Sequence, residues 1–141
     1  MSIEQNKEVV RQMVEELFTR GNLSRVDEFV AADFIEHEEL PPGMPSGREG
    51  LTQLLSAMHS AFPDFEATIE DIIAEGDKVV LRLTFGGTQK GEFMGIPATG
   101  KRVSWGVFDI IRVAGGKCVE HWGQMDDMGL MRQLGAGPAA V

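Results

Sequence analysis

The chain is poor in cysteine and in positive charge, and it has no long apolar run. Cys118 is the one thiol in 141 residues, so no internal disulfide can form. That fits a reducing compartment and leads us to expect a cytoplasmic protein. Lys and Arg number 13 against 22 Asp and Glu, a formal net charge of −9. A surface this acidic repels phosphate backbones, and no basic run offsets it, so nucleic acid is not expected as a partner. Nowhere is there the run of roughly 18 apolar residues that a membrane helix needs. The opening MSIEQNKEVV has no apolar stretch suited to a signal peptide. Three scattered histidines without tight spacing argue against zinc, and neither a metal nor another cofactor is expected. Repeats, low-complexity blocks and linkers are missing too. One domain over 1–135 is expected, followed by a flexible tail of small residues, 136–141.

What is present is 43% hydrophobic sequence, enough for a single core. Ser2 and Gln5 fit a capping box. Behind them Val10, Met13, Val14, Leu17 and Phe18 recur at helical spacing, and Gly21 ends the pattern. A shorter helix is expected over Leu23 to Val30. A loop follows through EHEELPPGMPSG, then a third helix from about Arg48 to Phe62, stopped by Pro63. The period then changes to two. Phe65, Ala67 and Ile69 alternate with Glu66, Thr68 and Glu70, and KVVLRLTFGGTQ, GKRVSWGVFDIIRV and CVEHWGQMD read as long strands. Helices followed by a strand meander predict an α+β fold. The helices should pack on one face of a curved antiparallel sheet, with a pocket between the layers.

The last strand carries the most chemistry. Side chains alternate, so Glu120, Trp122, Gln124 and Asp126 share one face, and Val119, His121, Gly123 and Met125 share the other. The first set, an aromatic wall with polar tips, reads as the lining of a site. His121 then falls on the sheet exterior. Asp127 directly precedes the helical pattern of MGLMRQLG and is the expected N-cap, which leaves Asp126 for chemistry. The plain alternative gives the cap to Asp126, or leaves both acids in solvent. Arg82 is expected to pair with Glu120 across the sheet, the alternative being that it binds an acidic substrate group. Cys118 reads as a small apolar strand residue, and His59 as a half-buried or surface residue of the third helix. GEFMGIPATG lacks the spacing of any phosphate loop.

AADFIEHEE, GREGLTQLL, the long stretch from AFPDFEATIEDIIAEGDKVV through GEFMGIPATGKRV, and GGKCVEHWGQMDDMGLMRQLG together resemble the SnoaL-like polyketide cyclases, or ester cyclases, of the NTF2-like superfamily. The resemblance covers about Asn6 to Gly135. It implies a cone-shaped α+β barrel in which a curved antiparallel sheet and three N-terminal helices enclose a pocket. It also implies cofactor-independent acid/base chemistry, such as an intramolecular aldol closure, on a hydrophobic carbonyl compound. By resemblance Asp126 is the acid/base. One carboxyl can take a proton from the carbon α to a carbonyl and later protonate the new alkoxide. His37, Gln89, Trp122, Gln124 and Glu120 would shape or polarise the substrate site. Gln89 stands where many relatives carry His in G-T-H-x-G; it can hydrogen-bond a carbonyl but cannot exchange a proton at neutral pH. Association into a dimer or tetramer through the sheet is implied as well. Three rival readings remain: a binding protein for a lipophilic metabolite, a hydroxylase or hydrolase on the same fold, and an interaction module whose main surface is the sheet exterior with His121 and Met125.

Overall fold

A computed structural model describes residues 1–135; the expected tail at 136–141 lies outside the described residues. Helix α1 spans Ile3–Met13. The Ser2 hydroxyl accepts from the Gln5 amide (3.1 Å) and the Gln5 side chain accepts from the Ser2 amide (2.8 Å), the reciprocal cap expected from the sequence. The helix buries Val10 and Met13 and then widens into a π turn over Val14–Thr19, burying Val14 and Leu17. Gly21, at a φ of 68°, ends it. A β-carbon there would also sit 3.2 Å from the His59 ring, a tight contact that adds to the preference for glycine.

The expected helix over Leu23 to Val30 is a correction. A 3-10 turn, Leu23–Arg25, leads into a single helical turn α2, Val26–Phe29, and at Val30 the chain becomes extended. Strand β1, Val30–Glu36, runs parallel to β5, Lys117–Met125, pairing Val30 with Cys118 and Glu36 with His121. The sheet is therefore not wholly antiparallel. Val30, Phe34 and Ile35 suit a strand, and a distant edge supplies ladder partners that no local pattern reveals. Helix α3, Gly47–Ala61, buries Leu51, Leu55, Met58 and Ala61.

Strands β2 (Glu66–Glu75), β3 (Lys78–Thr88) and β4 (Arg102–Ala114) complete a five-stranded sheet of order β1-β5-β4-β3-β2. Helix α4, Asp127–Gln133, closes the fold. The odd-numbered residues of β3 and β4 face inward: Val79, Leu81, Leu83 and Phe85, then Val103, Trp105, Val107, Asp109, Ile111 and Val113. They meet Val10, Val14, Leu17, Leu55 and Phe62 from the helices to form the core. Each large aliphatic chain buried here is worth roughly 1.5–3 kcal/mol of transfer free energy. Among the described residues no helix is long and apolar enough to cross a membrane.

Candidate active site

The inner face of β4 is apolar except at one position, Asp109, which is 6% exposed. Its neighbour on β5 fixes what it meets. Register places Ile111 opposite His121 and Ile110 opposite Trp122, so His121 points inward and Trp122 outward. The expected assignment of faces is thereby corrected. From Glu120 onward alternation within β5 groups the residues as expected, but the set containing His121 faces the core; the bulge before Glu120 turns Cys118 inward as well.

His121 lies between two carboxylates. Its Nδ1 donates to Glu36 Oε1 at 2.5 Å and its Nε2 donates to Asp109 Oδ1 at 2.7 Å. The Glu36, Asp109 and His121 side chains are only 4%, 8% and 14% exposed. Burial by itself disfavours an imidazolium, but the bonds to Asp109 and Glu36 outweigh it and raise the His121 pKa to about 10. The ring is therefore charged at neutral pH, with both nitrogens donating. Gly123 lets the trio close: a β-carbon there would stand 2.6 Å from Asp109 Oδ1 and 2.8 Å from His121 Cε1. Among the described residues Asp109 Oδ2 takes no hydrogen bond, which leaves one carboxylate oxygen for a ligand.

These three side chains form the polar end of a cavity. Its other walls include Met13, Phe18, Phe34, Leu51, Leu83 and Cys118. Burial pushes the Cys118 thiol up to about 12, so it is an unreactive apolar wall, as expected. The cavity volume is about 30 Å³. That is room for about two waters. A larger guest requires wall residues such as Met13, whose unbranched side chain adapts readily, to move.

Glu36, Glu38 and His121 each bring one potential ligand atom within 4.8 Å of the others. A metal would need a neutral imidazole with a lone pair to give. With the ring protonated both nitrogens donate to carboxylates, and neither lone pair is free for a metal.

The residues singled out in the sequence lie elsewhere. Asp126 is exposed. Its Oδ1 accepts from the Gly129 amide at 3.0 Å, which makes it, and not Asp127, the N-cap of α4. Cap geometry decides this: the chain leaves β5 at Met125, so the first non-strand residue comes one earlier than the pattern suggested. Trp122, Glu120 and Gln124 stand on the outer face. There the His37 ring stacks on Trp122 (centroids 4.7 Å apart, planes 6° apart) and its Nε2 meets Glu120 at 2.6 Å. Arg112 donates to the other Glu120 oxygen at 2.8 Å, while Arg82 bonds Asp71 and not Glu120. The Arg112 guanidinium, then His37, hold the Glu120 carboxyl below its ordinary range. Gln89 is fully buried but closes a loop: its amide donates to Ile96 O and accepts from the Thr99 amide and hydroxyl. Thus the structure gathers His37, Trp122 and Glu120 on the outside, and leaves Asp126 and Gln89 apart from them and from the cavity lining.

Sequence reasoning missed Glu36, Asp109 and the inward role of His121. The signal was available in VSWGVFDIIRV. Asp109 is the lone acid on an alternating apolar face, and an unexplained buried charge points to a site.

A family model of SnoaL-like polyketide cyclases matches residues 8–134. The chain is 35% identical over 136 residues to the aklanonic acid methyl ester cyclase DauD of Streptomyces sp. strain C5, covering 91% of this chain and 80% of that one. It is 30% identical over 120 residues to the nogalonic acid methyl ester cyclase of Streptomyces nogalater, covering 84% and 89%. Among solved structures it is similar to TsrD of Streptomyces laurentii (TM-score 0.81, 35% identity, 92% and 96% covered). It is also similar to AclR of Streptomyces galilaeus, a proposed hydroxylase (TM-score 0.83, 32% identity, 97% and 100% covered). The cone-shaped α+β fold, the apolar cavity and these matches agree: the chain belongs to the SnoaL-like polyketide cyclase family.

Proposed function

We propose that this cyclase-type enzyme closes a ring in an aromatic polyketide methyl ester by an intramolecular aldol reaction, and that Asp109, His121 and Glu36 do the acid/base work. The observation that carries the proposal is the buried carboxylate–imidazolium–carboxylate trio at the polar end of an otherwise apolar cavity. Asp109, through Oδ2, takes the proton from the carbon α to a carbonyl, and the C–H electron pair becomes the enolate. The enolate carbon attacks the second carbonyl; a C–C bond forms and that oxygen becomes an alkoxide. The same Asp109 carboxyl returns its proton to the alkoxide, so the cycle is balanced without a co-reactant. His121, positive throughout and held by Glu36, stabilises the negative charge as it moves from Asp109 to the enolate and on to the alkoxide. A partly dry cavity makes that fixed charge worth more than it would be in water.

The substrate class is carried over from the relatives, which are named for aklanonic and nogalonic acid methyl esters. The test is ring closure of aklanonic acid methyl ester by wild type, Asp109→Asn and Asp126→Asn. Asp109→Asn should lose roughly 10²- to 10⁴-fold in kcat. Asp126→Asn keeps an N-capping side chain and should stay within a few-fold of wild type. The opposite ranking would return the acid/base role to Asp126. Binding without turnover by wild type would favour a non-catalytic carrier.

Association through the sheet belongs to the same reading. Ile73, Val80, Ile110 and Trp122 pair in one row across β2, β3, β4 and β5 on the outer face, and Phe108 beside them is 60% exposed. A contiguous apolar row of this kind suits burial against a second copy. A cytoplasmic setting suits the single reduced thiol, Cys118.

A further inference from the structure

Three carboxylates surround one imidazolium. Glu36 and Asp109 each accept a charged hydrogen bond from His121. Glu38, half-buried where the chain leaves β1, has a carboxylate oxygen within 4.8 Å of ligand atoms of both Glu36 and His121. Its backbone N–H donates to Glu36 Oε1 at 3.0 Å, tying it to the oxygen that holds the His121 ring. Among the described residues its own side chain receives no hydrogen bond. With all four groups ionised the cluster would carry two uncompensated negative charges in a poorly solvated place. Protonating one acid relieves this, and the acid with the least to lose is the one without an N–H partner.

We propose that Glu38 is a positioning residue that holds a proton while the enzyme works, and whose ionisation turns the Glu36–His121–Asp109 trio down. The inference rests on the assignment of acid/base work to that trio. A neutral Glu38 leaves the cluster at one net negative charge. An ionised Glu38 adds a second, which repels the enolate and alkoxide forming beside His121. The charged groups that Glu38 faces come from every neighbouring element: Glu36 from β1, Asp109 from β4, His121 from β5 and Asp127 from α4. Burial first, then Asp109, Glu36 and Asp127, raise the Glu38 carboxyl to about 7, with His121 opposing. The change therefore falls in the physiological range.

The test has two readouts. NMR of the His121 ring in the substrate-free protein should show a titration step near pH 7 in wild type that Glu38→Gln abolishes and Glu38→Asp retains. No step in wild type, or a step surviving in Glu38→Gln, overturns the proposal without reference to activity. Ring closure of aklanonic acid methyl ester should fall roughly tenfold or more above that pH in wild type, because a like charge so close is costly. In Glu38→Gln the rate should stay level over the same range. Asp109→Asn in the same assay separates the two ideas. Full activity there sinks the trio assignment and this proposal with it. Lost activity there, with an unchanged falling limb in Glu38→Gln, sinks only the proposal.

Discussion

His121 and Trp122 are adjacent in β5 and face opposite ways, and each is surrounded by the company one would expect of the other. Inward-facing His121 lies among charges, Glu36 and Asp109, under an apolar roof. Outward-facing Trp122 belongs to a row of apolar side chains, with Lys78 5.5 Å above its ring and His37 stacked on it. Usually the inner face of a sheet is apolar and the outer face is polar. Local exceptions to that pattern concentrate where function requires them. On the proposed function the inner exception serves chemistry and the outer one association, so the two faces should respond to substitution in different ways.

The largest effect is expected inside. His121→Gln removes the only positive charge between two buried carboxylates. Breaking such a cluster costs about 3–5 kcal/mol of stability, and ring closure should drop with it. The sign with pH is fixed by the direction of the shift. The folded-state pKa of His121 lies above its unfolded value of 6.5, at about 10. Its stabilisation is therefore complete below about pH 6.5 and disappears as pH rises through about 10. Chemical denaturation of wild type and variant across that window should show the gap closing toward high pH. A gap that is constant or widens would mean that the ring is neutral in the folded state.

Gly123→Ala comes next. The added methyl meets Asp109 and His121 at about 2.6–2.8 Å, so the trio must open. Overpacking of this kind typically costs about 1–3 kcal/mol, seen as a lower melting temperature, and kcat should fall more than KM rises. If activity survived intact, the close contact of Asp109 with His121 would be irrelevant to catalysis.

Most of the scaffold was legible in the sequence for local reasons. The Ser2–Gln5 cap, the stripe from Val10 to Phe18, the end of α3 at Pro63 and the alternation of β3 and β4 each depend on neighbours in the chain. What was not legible depends on distant partners. Strand β1 exists because β5 offers a parallel edge, and four α2 residues do not announce it. Alternation grouped Trp122 with Glu120 and separated both from His121, but period two does not say which group faces in. Pairing with β4 says it, because Ile111 and Asp109 lie on the buried face. The resemblance pointed to an acid near the end of β5. The acid we propose instead lies on β4, which crosses beside it, and a site assembled across strands is not confined to one segment of sequence.

The smallest effect on the isolated chain, and the largest on its assembly, is expected outside. Phe108 is 60% exposed and Ile73 63% exposed, so replacing either by Ser removes little that the monomer itself buries. Surface changes of this sort usually move stability by no more than about 0.5 kcal/mol. If the row from Ile73 to Trp122 is covered by a second copy, Phe108→Ser should shift the mass measured by light scattering toward monomer. Ring closure per chain should be unchanged, since the trio lies on the other face of the sheet. Loss of mass together with loss of activity would mean that the two faces are coupled through β4, where Phe108 and Asp109 are neighbours. Unchanged mass would leave the apolar row without a partner and move the search for an interface to the sheet edges.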